Sequence, residues 1–341
     1  MDAKITKKRL SYLLSYDWVK IALSAVAAII IWSLVFTMTA TKITNTQRFV
    51  VMNYRGTSIS NGMMYKGNSY EVIEAELVDN MRGGNDYFWE IFQANVGVGE
   101  GDVLLAANYP SGRTVKTDDN GNEMKDENGN LLYDYEKTYM EDALSSMAAK
   151  FTRLDDDGDN AGYFTQMKDY LAKFYTVVSQ EQKTYAGTTF TVATFDEGTL
   201  NAQLVKDEFR ARIKANKDKR FKKEEQIQKG ELDEIKRIES YLVAYNAFFG
   251  HLDAGKVELT YVDIAVTETF SITGVYGVNI CPSEQTMGEL KDQFYYTDFE
   301  NVMTAKDMNA LFMDLEGLDK NFQYENILYL NALIEDVYKA S

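Results

Sequence analysis

The residues in this chain best suited to chemistry are carboxylates. In Leu154-Asp155-Asp156-Asp157-Gly158-Asp159-Asn160, Asp155, Asp157 and Asp159 stand at alternate positions of a turn-rich stretch. Ca²⁺ takes six to eight oxygens, and such a loop can supply several of them. The stretch has no glycine at its sixth position and carries Gln166 where an EF-hand loop has its closing Glu. Two readings follow: a partial calcium site on Asp155, Asp157 and Asp159, or a solvated turn between helices. No other cofactor is expected. His251 is the sole histidine, which leaves Ser-His-Asp, Cys-His and histidine-ligated zinc chemistry without partners. Its place just past an expected helix end suits a capping role. The phosphate loops GxxxxGK[ST] and GxGxxG are absent, and Gly97, Gly99 and Gly101 precede a strand instead of following one. A surface hydrolase would need two carboxylates facing each other across a pocket, and nothing in the sequence singles out such a pair. The expectation is a protein that is not an enzyme.

What positions these residues is a chain tied to a membrane. Ile21 to Thr41 runs 21 residues without a formal charge, with Trp32 inside it. About 20 apolar residues span the hydrocarbon core of a bilayer. The run is longer than the apolar region of a cleavable signal, and Thr37-Met38-Thr39-Ala40 is a poor cleavage site, so a retained anchor is expected. Lys4, Lys7, Lys8, Arg9 and Lys20 precede it. That basic flank predicts a cytoplasmic leader (1–20), a single membrane span (21–41) and an extracellular domain (42–341).

The 341 residues carry a formal net charge of −16. Residues 1–41 hold five Lys/Arg and two Asp/Glu, so the remainder holds 31 basic and 50 acidic side chains. An acidic exterior repels nucleic acid, whose phosphates demand a basic footprint. Cys281 is the only cysteine, so no intrachain disulfide can form and packing alone must stabilise the fold.

Along the outer part, Arg48–Tyr54, Tyr70–Val78 and Asp102–Ala107 predict strands, with a short helix over Asn85–Ala94 between the second and third. This is the βαβ pattern of a parallel or mixed sheet. Asp118-Asp119-Asn120-Gly121-Asn122 and Asp126-Glu127-Asn128-Gly129-Asn130 repeat one turn signal eight residues apart, which predicts a hairpin excursion over 110–136. Helix is expected through 137–183 with a break at 154–162, then a strand at Thr188–Phe195 and a long charged helix over 204–249. Within the latter, Lys206–Lys223 holds nine Lys/Arg against three acids. It would be either a face for anionic headgroups or an acidic partner, or a solvated helix face. Strands are expected over 256–272 and 275–280. Thr304 and Asp307 resemble a capping box opening a helix with Met308, Leu311, Phe312 and Leu315 on its apolar side, and a last helix carries Phe322, Ile327, Leu330, Ile334 and Val337.

Three stretches then resemble the opening of a type II solute-binding protein of ABC importers: Arg48–Tyr54, then Tyr70–Val78 followed by Asp86-Tyr87-Phe88-Trp89-Glu90, then Gly99-Glu100-Gly101-Asp102-Val103-Leu104-Leu105-Ala106. The last looks like the junction in such proteins where a helix ends in Gly and a buried strand opens with Asp. Tyr276–Ile280 and Tyr324–Leu330 look like the late strand and closing helix. Membrane-anchored proteins of Gram-positive, Clostridia-like bacteria look similar. The resemblance implies an α/β, periplasmic-binding-protein-like ectodomain with mixed sheets and flanking helices. It also implies a receptor or accessory role beside an ABC-type transporter subunit, with a small sugar or peptide as ligand. It departs from the family in its tether, since the usual members carry a lipid on a cysteine and Cys281 is far from the anchor. Asn108 and Tyr109, just past the strand at 102–107, are the expected ligand contacts. A surface protein that binds a neighbouring membrane protein, or a surface hydrolase, are the competing readings.

Overall fold

A computed structural model describes residues 7–8, 11, 18–39, 48–59, 74–78, 88–98, 101–218, 220–283, 294–313 and 324–338. Most of the leader, Thr41, Tyr70–Ile73, Asn85–Tyr87, Gly99-Glu100, Leu315 and Phe322 lie outside the described residues, as does the Trp89 side chain. The chain divides into two compact units, Met1–Lys42 and Ile43–Ser341. In the first, helix α1 (Trp18–Thr39) has 22 residues, or roughly 33 Å of helix. Its apolar side chains from Trp18 to Phe36, Ile21 and Trp32 among them, are exposed. The helix is long and apolar enough to cross a bilayer, which is compatible with a single-pass membrane protein.

The second unit is mixed α/β. Its strands and helices, in order, are β1 (Arg48–Asn53), β2 (Thr57–Ile59), β3 (Glu74–Val78), α2 (Phe88–Gly97), β4 (Val103–Ala107), β5 (Arg113–Val115), β6 (Tyr133–Tyr135), α3 (Tyr139–Met147), α4 (Tyr163–Leu171), β7 (Thr176–Tyr185), β8 (Thr188–Asp196), α5 (Ala202–Ala215), α6 (Glu224–Asp253), β9 (Glu258–Thr267), β10 (Phe270–Asn279), β11 (Phe294–Thr297), β12 (Met303–Thr304), β13 (Met308–Phe312) and α7 (Glu325–Tyr338). A six-stranded sheet runs β3-β1-β4-β13-β10-β9. β3, β1 and β4 are mutually parallel, and β13 enters antiparallel to both β4 and β10. The expected β3–helix–β4 crossover is present, with α2 between the strands. β4 reads Val-Leu-Leu-Ala-Ala with every residue buried, as suits a strand covered on both faces.

Three expectations are corrected. The helix expected over 304–315 is a strand through Phe312: β13 is buried at all five positions and pairs with β4 over Met308–Phe312. A strand buried on both faces shows no alternation, and its apolar residues mimic helical spacing. The helix expected through 183 stops at Leu171, and β7 pairs with β8 instead. Ala186 and Gly187 between them take φ of 49° and 75°, the left-handed pair of a tight hairpin turn. The long helix expected over 204–249 is two helices, α5 and α6, broken where Lys217 takes φ 51°.

The α-helical side is held by buried charge. Arg237 on α6 is fully buried. It reaches Glu234 at 2.5 Å, the Tyr241 hydroxyl at 3.2 Å and Glu325 on α7 at 3.6 Å. Arg212 on α5 clasps Glu234 through both nitrogens at 2.8 and 2.9 Å, and the Tyr241 hydroxyl donates to Glu325. Burial would raise Glu234, but the two guanidiniums outweigh it and hold its carboxyl down at about 2. Burial pushes Glu325 up to about 7 against the pull of Arg237. Across the sheet, Asp102 accepts from the Val50 amide at 2.7 Å. Burial raises it to about 7, with Glu325 repulsion adding to the effect.

These shifts fix how stability varies with pH. Asp102 and Glu325 bind their protons more tightly folded than unfolded, so their contribution is full below about pH 4 and is lost as pH rises toward 7. Glu234 contributes above about pH 4.5 and loses that contribution as pH falls toward 2. Urea unfolding should therefore show greater stability at pH 5 than at pH 8, by about 2–3 kcal/mol for each of the two acids. Asp102→Asn, which keeps an acceptor for the Val50 amide, should flatten part of that slope. Equal stability at the two pH values would contradict the assignment.

Candidate functional site

Antiparallel pairing puts the exit of β4 beside the entry of β13: Ala107 faces Met308, and the Asn108 amide donates to the Asp307 carbonyl at 2.9 Å. The chain leaving β4 at Tyr109 and the chain approaching β13 at 298–302 therefore meet at one edge of the sheet. It is the carboxyl edge of the parallel strands β1 and β4, where strand order reverses and where open α/β sheets place their ligands.

There a cleft of about 450 Å³ is lined by Tyr109, Pro110, Arg113, Tyr135, Asp298, Phe299 and Glu300. The Tyr109 ring lies 5.0 Å from both Tyr296 and Phe299, and its hydroxyl accepts from the Phe299 amide at 3.1 Å. Tyr135 stacks on Phe299 at 6.2 Å and is 57% exposed. The Arg113 guanidinium sits 4.2 Å from the centre of the Tyr133 ring and 4.6 Å from that of Phe299, a cation held over two aromatic faces. Burial pushes the Tyr296 hydroxyl upward, with Asp307 adding to it, so this phenol beside the cleft stays neutral.

The excursion over 110–136 supplies Arg113 and Tyr135. β5 and β6 pair antiparallel at its base, Arg113 opposite Tyr135. Beyond them, Asp118 and Asp126 each accept from the amides two and four residues on, at 2.8 to 2.9 Å. Asp298 makes the same pair of bonds, to the Glu300 and Val302 amides at 2.9 and 2.8 Å. All three loops also close with a backbone bond from the Asp amide to the fifth residue and one from the fourth back to the Asp carbonyl. The fourth residue is left-handed in each: Gly121 at φ 81°, Gly129 at 86°, Asn301 at 62°. The pattern Asp-x-x-Gly/Asn-x thus recurs a third time at Asp298-Phe299-Glu300-Asn301-Val302. That copy carries Phe299 and Glu300, which reasoning from the sequence missed because its fourth residue is Asn, without the Asn-Gly signature.

Of the expected ligand contacts, Tyr109 lines the cleft, whereas Asn108 does not and spends its amide on Asp307. Of the two readings of 154–160, the structure shows how each carboxylate is engaged. Asp155 is 3% exposed and turned inward, binding Arg153 at 2.8 and 3.1 Å and accepting from the Val275 amide at 2.8 Å. Arg153 also takes Asp157 at 3.0 Å. Its guanidinium lies where a side chain on Gly274, at φ 132°, would sit. Asp156 accepts from the Gly162 amide at 2.7 Å, at the start of α4. Only Asp159 among the three candidate ligands keeps an open carboxylate, and among the described residues no group of three His, Cys, Asp or Glu is placed to hold a metal ion. Arg153, two residues before Asp155, was the signal in the sequence. His251 lies in the last turn of α6, where burial, then Lys256, lowers its pKa.

Comparison of the chain with protein-family models, with characterised proteins and with solved structures gives no match. What the fold and the site define is a mixed α/β unit with an aromatic cleft at the carboxyl edge of its parallel strands.

The cleft depends on Asp298. Asp298→Ala should speed hydrogen exchange at the Glu300 and Val302 amides about tenfold, a loss of roughly 1–2 kcal/mol of local protection, with little change in β13. Asp298→Asn, which keeps the acceptor, should restore most of it. Unchanged exchange in the alanine variant would show that the loop is held by other contacts.

Proposed function

We propose that this protein is a membrane-tethered, non-enzymatic binding protein whose outer unit takes a small solute, carbohydrate first, in the cleft between Tyr109, Arg113 and Phe299. In this reading α1 spans the cell membrane with the N-terminus in the cytoplasm, and the unit 43–341 lies outside as a receptor or accessory component of an ABC-type transporter. The observation that carries it is the aromatic cleft itself. Tyr135 and Phe299 offer faces for the C–H side of a sugar ring, and Arg113, Asp298 and Glu300 offer donors and acceptors for its hydroxyls. The parallel β3-β1-β4 order, with the late strand β13 entering antiparallel beside β4, supports a solute-binding-protein-like lobe.

A second reading, an accessory protein that binds a neighbouring membrane protein at this edge, is favoured by the exposed apolar rim. Val302 and Met303, on the same loop as Phe299, are 53% and 62% exposed, and clustered apolar exposure marks contact surfaces.

Thermal unfolding of the full chain in detergent against a panel of sugars and short peptides separates the two. A ligand at 100 times its dissociation constant adds about 2.7 kcal/mol to the folded state, and Phe299→Ala should weaken that ligand about tenfold. A cooperative melt that no sugar or peptide shifts would overturn the receptor reading and leave the partner-binding one.

A further inference from the structure

The strongest concentration of positive charge lies apart from the cleft, at the turn between α5 and α6. It stands on a chain whose net charge is −16. The structure sorts its cations into two groups by side-chain type. The arginines are engaged with carboxylates: Arg210 with Glu224 and Glu231, Arg212 with Glu234, and Arg220 with Asp218 at 2.5 Å. Four of the described lysines are not. Lys214, Lys217, Lys222 and Lys223 are exposed and make no ion pair among the described residues, and the acid beside them, Glu225, is exposed as well.

The turn is built. Phe221 packs edge-on against Phe209 at 5.1 Å over Gly230, where a Cβ would overlap both rings. Ile213 and Ile227 close that small core. The Gln226 side chain accepts from the Lys222 and Lys223 amides at 3.1 and 3.0 Å. The aromatic groups face inward, so what this end presents is charge with no apolar wedge. Lys217 ends α5 at φ 51°, a left-handed position that glycine fills at lower cost. A lysine stands there against the backbone preference.

We infer that this lysine cluster docks on the anionic headgroups of a lipid bilayer. The side-chain type selects that partner. A planar guanidinium matches a fixed carboxylate or phosphate, whereas an ammonium on a flexible stem suits a diffuse field of phosphates. Four lysines within ten residues have the density at which anionic leaflets attract polybasic segments. The same chain carries α1, a helix long and apolar enough to cross such a bilayer.

The test uses the full chain in nanodiscs of phosphatidylcholine, with and without phosphatidylglycerol, that contain a headgroup spin-labelled lipid. Cys281 is the chain's single cysteine and is buried, so a fluorophore on Ala215→Cys reports the turn alone, and one on Asp119→Cys reports the excursion as a reference. Quenching at 215 should be several-fold stronger with phosphatidylglycerol and should vanish at 1 M salt, where the Debye length is about 3 Å. Neutralising Lys214, Lys222 and Lys223 to Gln should weaken the contact about fivefold per lysine. Lys217→Gly should weaken it by a similar factor while raising the unfolding temperature, an outcome that damage to the fold cannot produce. Equal quenching in the two lipids, quenching that survives the Gln substitutions, or quenching that requires two chains per disc would overturn the inference; the last would make a second copy the partner.

Discussion

The pairing of β4 with β13 is the constraint on which the outer unit depends. The two strands are about 200 residues apart in sequence, yet each is buried along its whole length, and they face each other over five residue pairs. Neither can exist alone. Val103–Ala107 without β13 would leave one row of amides and carbonyls unpaired in an apolar interior, at a cost of a few kcal/mol per group. The chain therefore leaves β4 at Asn108 and comes back to β13 at Asp307 on the same edge of the sheet, having added β9 and β10 on the far side of β13 in between. Because the pair is antiparallel, that edge is where Tyr109 and Phe299 come together. The cleft is a consequence of strand direction before it is a consequence of any side chain.

The helices α5, α6 and α7 meet one another through a different kind of interaction. Glu234 and Glu325 belong to one buried cluster, yet one carboxyl is held down at about 2 and the other pushed up to about 7. The difference is the number of guanidiniums each receives. Glu234 takes Arg212 in a two-bonded clasp and Arg237 at 2.5 Å, whereas Glu325 has Arg237 at 3.6 Å and the Tyr241 hydroxyl. Burial costs both acids alike, and only the doubly paired one repays it. Such a cluster adds little net stability over an apolar core of the same volume. What it does add is geometry, because it joins α5, α6 and α7 through bonds that tolerate little displacement.

What could be read from the sequence follows from how each element is solvated. β1 and β4 stood out as short apolar runs bounded by polar residues, and the second half of α6 as a 3.6-residue stripe from Ile235 to Phe249. β13 did not, because full burial removed the alternation that marks a strand, and Met308, Leu311 and Phe312 fitted a helix equally well. β7 did not, because most of its residues are exposed and its only strong signal is the turn at Ala186-Gly187. Of the site, the sequence yielded Tyr109 by its place after a buried strand. Arg113 and Phe299 become neighbours only through the long-range closure of the sheet, which no local pattern reports. Asp155 is held by one local partner, Arg153, and by one that no local pattern reports, the Val275 amide 120 residues away.

The three Asp-anchored loops share one backbone and differ in what they present. Their backbones are interchangeable, with the same four hydrogen bonds and the same left-handed fourth residue. Their second residues are not. Asp119 and Glu127, at the far part of the excursion, are solvated acids that keep an exposed turn soluble, whereas Phe299 in the same position is stacked between Tyr109 and Tyr135. A loop that needs only Asp at the first place and Gly or Asn at the fourth leaves its second place free to vary without cost to the turn. An aromatic ring there is not needed to form the loop, since two copies form without one. At the one copy that faces the carboxyl edge of β4, the ring at that place packs against Tyr109 and Tyr135 and forms one wall of the cleft.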